Sequence, residues 1–402
     1  MTTGTNPIIK EETTMRKTGI SSLVLALAMA GAISTAQAED GVTDIQVTLG
    51  GSTALTGPGA LVGIAHDLGE KVAAAEINDA GGINGRKLVR FFEDDGYVPA
   101  RTVQAARKLL DVDKVLAITA SSGAASTMAA LPLIEEKGAP MLQTAAPNSV
   151  MFSPMHKNLF VVGKPYGAAT YELVKFLAGR KPGGKYIAIV QDDDYGDDVQ
   201  HGYEQALKEL KLESVGVLRY KRGQKEFAAE VLKAKQLGAT TIVSGGIIGE
   251  NVAIAKEMRR TGMNAELAML WSGRIPQIID LMGEAAEGVI AADYVGEFSD
   301  PSGQRFMEKA KKYLSPDEVS KLNRYSLTGY VGIKLIADAI KRCGKDVTRV
   351  CVIEKLETTQ NLETDGITSP LSFTPETRIS DLSMRYTIAD TAKKAWVPIQ
   401  QK

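Results

Sequence analysis

The 402-residue sequence predicts an α/β fold with two parallel sheets, and three observations carry that expectation. From residue 44 onward, short apolar runs alternate with longer segments of helical period. The alternation comes in two successive sets, which right-handed strand–helix–strand crossovers turn into two sheets rather than one. The composition, 44% hydrophobic and 24% charged, is that of a globular chain long enough for two domains of typical size.

The first element is a leader. Arg16 and Lys17 precede the apolar run "GISSLVLALAMAGA" (19–32), and "AQA" (36–38) places small residues where a signal peptidase cuts. Residues 1–38 therefore read as leader and signal peptide, with Met15 as an alternative start and a mature chain from about Glu39. The competing reading is a buried N-terminal helix. No later segment reaches the roughly 18 apolar residues of a membrane span. In the first set, strands are expected at 44–51, 88–95, 115–120 and 139–145. Helices are expected after Gly57-Pro58-Gly59 and around 99–111 and 124–137, the first closed by the glycines of "AGGING" (80–85). The second set places strands at 186–194, 213–220, 240–246, 266–271 and 288–296, with helices near 197–210, 226–237 and 250–261. The tail reads as helices near 326–342 and 347–357, then strands at 370–374 and 384–389.

Ligands of open parallel sheets sit beyond the C-terminal ends of the strands. Small and polar residues gather at those ends, among them Ser121, Ser122 and Gly123, the stretch 144–148, Asp192 to Tyr195, and Trp271 to Arg274. A cleft between two lobes would collect them. Enzyme motifs fare poorly. "GPGALVG" (57–63) has the wrong glycine spacing for a dinucleotide turn, and "SSG" (121–123) lacks a nucleophile elbow and a nearby histidine. "DDD" (192–194) reads as a solvated loop rather than a metal cluster. No catalytic residue, metal or cofactor is expected. A net charge of −1, from 47 basic and 48 acidic residues, argues against a nucleic-acid partner. The two cysteines, Cys343 and Cys351, form one disulfide in an oxidising compartment, or else remain as two buried thiols.

The stretches "LTGPGA" (55–60), "AAEINDAGGINGRKL" (74–88), "EDDGYVPARTVQAARKLL" (93–110), "LPLIEEKGAPML" (131–142) and "QDDDYGDD" (191–198) together resemble the type I periplasmic solute-binding proteins of the leucine/isoleucine/valine-binding family. The resemblance spans roughly residues 44–400. It implies two Rossmann-like lobes joined by a three-crossing hinge, closing on a small organic acid or amino acid. It also implies delivery of that solute to an ABC permease of the inner membrane. The expected parts are 39–164 and 297–369 for the first lobe and 165–296 and 370–402 for the second, with crossings near 162–166, 294–298 and 368–372. A periplasmic monomer is expected. A ligand-sensing module for a receptor is the alternative from another class.

By the same resemblance, Ser121, Ser122, Gly123, Ala145 and Ala146 would hold a ligand carboxylate through a hydroxyl and backbone amides. The family's two partners for the ligand ammonium are replaced here, the threonine by Pro147 and the glutamate by a position at or beside Trp271. An ammonium buried without a carboxylate partner costs several kcal/mol, so about that much disfavours an α-amino acid. Trp271 offers a stacking face and Arg274 a fork for a carboxylate, which favours an aromatic organic acid, with an aliphatic amino acid as the alternative. The competing assignment makes Trp271 lobe packing and Arg274 a surface ion-pair partner. Tyr195 matches a pocket tyrosine, Tyr166 and Tyr325 fall near the cleft, and Tyr97 is a further candidate. Val62 and Ile248 stand where the family's apolar pocket commonly has tyrosine.

Overall fold

The computed structural model describes residues 1–5, 7–8, 39–119, 123–380 and 382–399. The expected signal peptide, Ser121 and Ser122 lie outside the described residues. Strands β1 (Gln46–Thr53), β2 (Lys87–Asp94), β3 (Ala117–Ile118), β4 (Met141–Gln143) and β5 (Leu159–Val162) form a first sheet, ordered β5-β4-β3-β1-β2 and parallel throughout. Strands β6 (Lys185–Gln191), β7 (Glu213–Tyr220), β8 (Thr241–Gly245), β9 (Glu266–Leu270) and β10 (Ile290–Asp293) form the parallel body of a second, ordered β10-β9-β8-β6-β7. The chain then visits each sheet again. Strand β11 (Ile379–Ser380) pairs parallel with β5, whereas β12 (Arg385–Asp390) and β13 (Ala395–Pro398) extend the second sheet antiparallel.

Helices cover the sheets, so central strands are buried on both faces and read as unbroken apolar runs. In β6, "KYIAIVQ", every residue after Lys185 is buried. Capping fixes where the helices begin. Asp193 accepts from the amides of Tyr195 and Gly196 and so starts helix Asp194–Leu210. Asn323 and Ser326 cap helix Arg324–Arg342 reciprocally. That helix lies against helix Ala60–Asp79 at a distance only glycine permits. A Cβ on Gly69 would stand 1.9 Å from the Ser326 carbonyl, and one on Gly329 would stand 2.2 Å from that of His66. At its far end Cys343 is bonded to Cys351 of helix Arg349–Glu357, with Cα atoms 6.0 Å apart. Arg349 anchors this pair to the first sheet through the carbonyls of Val115, Leu116 and Lys137.

Two expectations about the tail need correction. Residues 370–374 are not a strand, since Leu371 makes only an isolated bridge to Leu362. The strand comes later, at β11, and belongs to the first sheet. The last passage between the sheets therefore runs from Ser380 to Arg385 instead of near 368–372, and no second-sheet part opens at 370. A two-residue strand is too short to show any alternation in sequence. Strands β5 and β13 and helices Tyr166–Arg180, Pro276–Met282, Pro301–Tyr313 and Pro316–Ser320 add to the expected elements. Among the described residues, no helix is long and apolar enough to cross a membrane.

Candidate functional site

A cleft opens just beyond the C-terminal ends of β1, β4, β6, β8 and β9. Those strands deliver Ala54, Ala145 with Ala146, Tyr195, Ile247 and Ser272 to its lining. The helices that follow begin at the same place. Gly59 and Val62, Gly123, Tyr166, Tyr195 and Tyr325 stand at the starts of five helices, and all line the cleft. Each helix start carries about half a positive charge, although the amides of Tyr166, Tyr195 and Tyr325 are themselves engaged by Pro147, Asp193 and Asn323. None of the described lining residues carries a charged side chain.

Tyrosines make the wall. Tyr166 meets Tyr195 edge-on at 4.5 Å, and Tyr325 closes one side. Burial raises the hydroxyl pKa of Tyr166, Tyr195 and Tyr325, so these groups stay neutral. Tyr97 reaches in from the turn after β2, in a left-handed conformation (φ 65°) held by its N–H donating to Asp95 Oδ1 at 2.9 Å. Gly123 is fitted to that ring, because its φ is +82° and a Cβ there would lie 3.0 Å from Tyr97 Cε2. Over the outer face of Tyr97 sits the Arg222 guanidinium, 4.3 Å from the ring centroid. Arg222 also donates to the Tyr97 carbonyl at 3.3 Å and pairs with Asp193. One arginine beyond β7 thus joins the first-sheet rim to the start of a second-sheet helix.

The second-sheet wall is polar. Ser272 Oγ donates to the Gly246 carbonyl at 2.9 Å, and the Tyr195 hydroxyl lies 3.3 Å from both. On the opposite wall the amides of Ala145 and Ala146 both donate to Gln143 Oε1, at 2.9 and 3.0 Å. The two alanines line the cleft as expected, but their N–H groups are engaged by protein.

Trp271 and Arg274 are the main corrections. Trp271 is fully buried and is not part of the lining. Tyr166 stacks on its face at 5.0 Å and Tyr294 meets it edge-on at 4.8 Å, so it backs the wall instead of offering a face to a ligand. Its indole N–H is buried without a hydrogen-bond partner among the described residues. Arg274 is buried rather than at the surface. Its Nε donates to Asp293 Oδ2 at 2.6 Å, Nη1 pairs with Glu297, and Nη2 donates to the Val295 carbonyl at 3.2 Å. Arg324 grips Asp293 from the other side, at 2.8 and 2.9 Å. Burial alone would raise the Asp293 carboxyl, but the two guanidinium charges outweigh it and hold the pKa below the usual carboxylate range. Both misplacements share a cause. Residues Trp271–Gly273 form a 3-10 turn that aims Ser272 at the cleft and its neighbours away from it.

Ala54, Gly59, Ala124 and Ile247 also line the cleft without having been singled out, Ile247 in place of its neighbour Ile248, while Thr53 and Ser272 reach it from the polar clusters at the ends of β1 and β9. Their common sequence signal is position, either just past a strand end or at the helix start that follows it.

A family profile described as periplasmic binding protein matches residues 46–394. The leucine-, isoleucine-, valine-, threonine- and alanine-binding protein of Pseudomonas aeruginosa is 26% identical over 331 residues, covering 81% of this chain and 85% of that one. Among solved structures, a branched-chain amino acid ABC transporter protein from Thermus thermophilus with bound valine superposes with a TM-score of 0.81 at 21% identity, covering 90% of this chain and 97% of that one. A solute-binding protein of an ABC transporter from Rhodopseudomonas palustris, in complex with p-hydroxybenzoic acid, superposes with a TM-score of 0.78 at 18% identity, covering 88% and 96%.

Proposed function

The chain belongs to the periplasmic binding protein family, and from that premise we propose that it is the solute-binding component of an ABC importer of the branched-chain amino acid type, working in the periplasm and taking a small aromatic carboxylate in the cleft. The observation that carries the ligand class is the lining, in which the described residues are four tyrosines with small, apolar and hydroxyl-bearing neighbours and no charged side chain. An α-amino acid would bury its ammonium there against neutral groups, at a cost of several kcal/mol by order of magnitude. A carboxylate needs no cationic side chain where several helix starts converge. An aromatic ring gains from offset or edge contacts with tyrosine, about 0.5–1.5 kcal/mol per pair beyond burial.

Binding of an amino acid is the second reading, favoured by the specificity named for the Pseudomonas relative. Thermal unfolding with saturating benzoate, leucine or hexanoate separates the two. Benzoate should raise the melting temperature most, because ligand at about 100 times its Kd stabilises the folded state by about 2.7 kcal/mol. Stabilisation by leucine with none by benzoate establishes the amino-acid reading instead.

A further inference from the structure

Resting on the aromatic-carboxylate reading, we infer that the preferred solute carries a hydroxyl group on its ring and that Ser272 and Tyr195 read it. Three donors crowd the Gly246 carbonyl: Ser272 Oγ at 2.9 Å, Asn251 Nδ2 at 3.0 Å and the Tyr195 hydroxyl at 3.3 Å. A carbonyl oxygen has two lone pairs, and the two closer donors fill them. The Tyr195 hydroxyl is left with long contacts only, its other neighbour being Ser272 Oγ, also at 3.3 Å. Hydroxyl pairs normally settle near 2.7–2.8 Å, so this donor is loosely held. Ser272 Oγ and Tyr195 Oη keep unfilled acceptor positions as well. Both residues line the cleft, each just beyond a strand of the second sheet.

Such a pair offers one spare donor and several spare acceptors at the same spot. A ligand hydroxyl both donates and accepts, so it completes the chain. A hydrocarbon edge leaves the groups unpaired, and an ammonium supplies only donors, with no carboxylate among the described lining residues to meet its charge. The Tyr195 hydroxyl suits this task because burial raises its pKa and keeps the proton in place. Phenolic carboxylates are the class that joins an anionic end to a ring hydroxyl.

Calorimetry with 4-hydroxybenzoate, 3-hydroxybenzoate and benzoate tests this on the parent, on Ser272→Ala and on Tyr195→Phe. The parent should bind one hydroxybenzoate about tenfold more tightly than benzoate, the advantage expected of one net buried hydrogen bond. In each variant that ratio should collapse to within about threefold, and a ratio is insensitive to a general weakening of the cleft. Equal binding of all three acids by the parent overturns the hydroxyl inference and leaves the aromatic-carboxylate reading standing. A parent preference that survives in both variants overturns the assignment to these residues. Binding of leucine with no binding of any of the three acids overturns both readings together.

Discussion

Arg324 and Tyr325 are adjacent, yet one belongs to a buried knot of charge and the other to a lining without any. The same division recurs between Arg274 and Ser272. The cleft is walled by neutral hydroxyls and rings, while directly behind it Asp293 is held between two arginines, with Glu297 on the outer flank of one. Each arrangement suits its place. A buried ion-pair network is costly to break and poorly adaptable, which fits a region joining the two sheets. A neutral aromatic lining binds through shape and leaves net charge to the ligand. Charge near a binding site is therefore no sign that the charge is for the ligand.

The largest expected effect tests the knot. Asp293→Asn leaves two buried guanidinium groups facing a neutral amide and should lower folding stability by about 3–5 kcal/mol, measured by chemical denaturation. If it instead left stability nearly intact and abolished solute binding, the contrast between the two regions would fail.

The next effect comes from a second buried group of charges, behind the first-sheet wall. His66 Nε2 lies 2.7 Å from Thr144 Oγ1, beside Ala145, and His66 Nδ1 lies 3.7 Å from Glu70 Oε1. Burial, then the charges of Arg90 and Arg324, lowers the His66 pKa from 6.5 to about 3. Burial raises that of Glu70 from 4.5 to about 7, against the opposing charge of Arg90. With His66 depressed, its contribution is present above 6.5 and is lost as pH falls toward 3. With Glu70 raised, its contribution is present below 4.5 and is lost as pH rises toward 7. Between 4.5 and 6.5 the two slopes oppose each other and should nearly cancel. Glu70→Gln removes one of them, so stability should then rise with pH across that window by up to about 1.4 kcal/mol per unit. A flat profile in the variant, from denaturation at several pH values, would show that the pair does not titrate in this way.

The smallest effect concerns the rim, where charge does approach the cleft. Arg222→Gln removes the cation over Tyr97 and the pairing with Asp193, at a site about a quarter exposed. Solute dissociation in stopped-flow displacement should quicken about two- to fivefold, matching the roughly 0.5–1 kcal/mol of a partly exposed cation–π contact. An unchanged off-rate would assign Arg222 to the surface alone.

The architecture was legible because buried parallel strands leave apolar runs that alternate with helical period, as in β6 and β8. Helix Tyr166–Arg180 was legible too, through Tyr166, Thr170, Leu173, Val174 and Leu177 at helical spacing, and went unread. Strand β11 was not, since two residues cannot display a pattern. In the cleft, Tyr166, Tyr195 and Tyr325 were reachable through the family resemblance, Tyr195 as the match to a pocket tyrosine and the other two as positions near the cleft, and all three line it. Trp271 and Arg274 could not be placed, because a single 3-10 turn decides which of four consecutive side chains faces inward. Nor could Asp293 be seen as the destination of Arg274, as it lies 19 residues on and pairs with it only once β9 and β10 are side by side.

The return of the chain to both sheets after residue 378 governs when folding can finish. The first sheet lacks its edge strand until Ile379 and Ser380 are available, and the second lacks two strands until Pro398. Helix Ala60–Asp79 likewise waits for helix Arg324–Arg342 to cover it. Contacts so distant along the chain form late, because loop closure must precede their reward. A polypeptide emerging N-terminus first thus cannot complete either half early, and stays threadable for nearly its whole length before it locks.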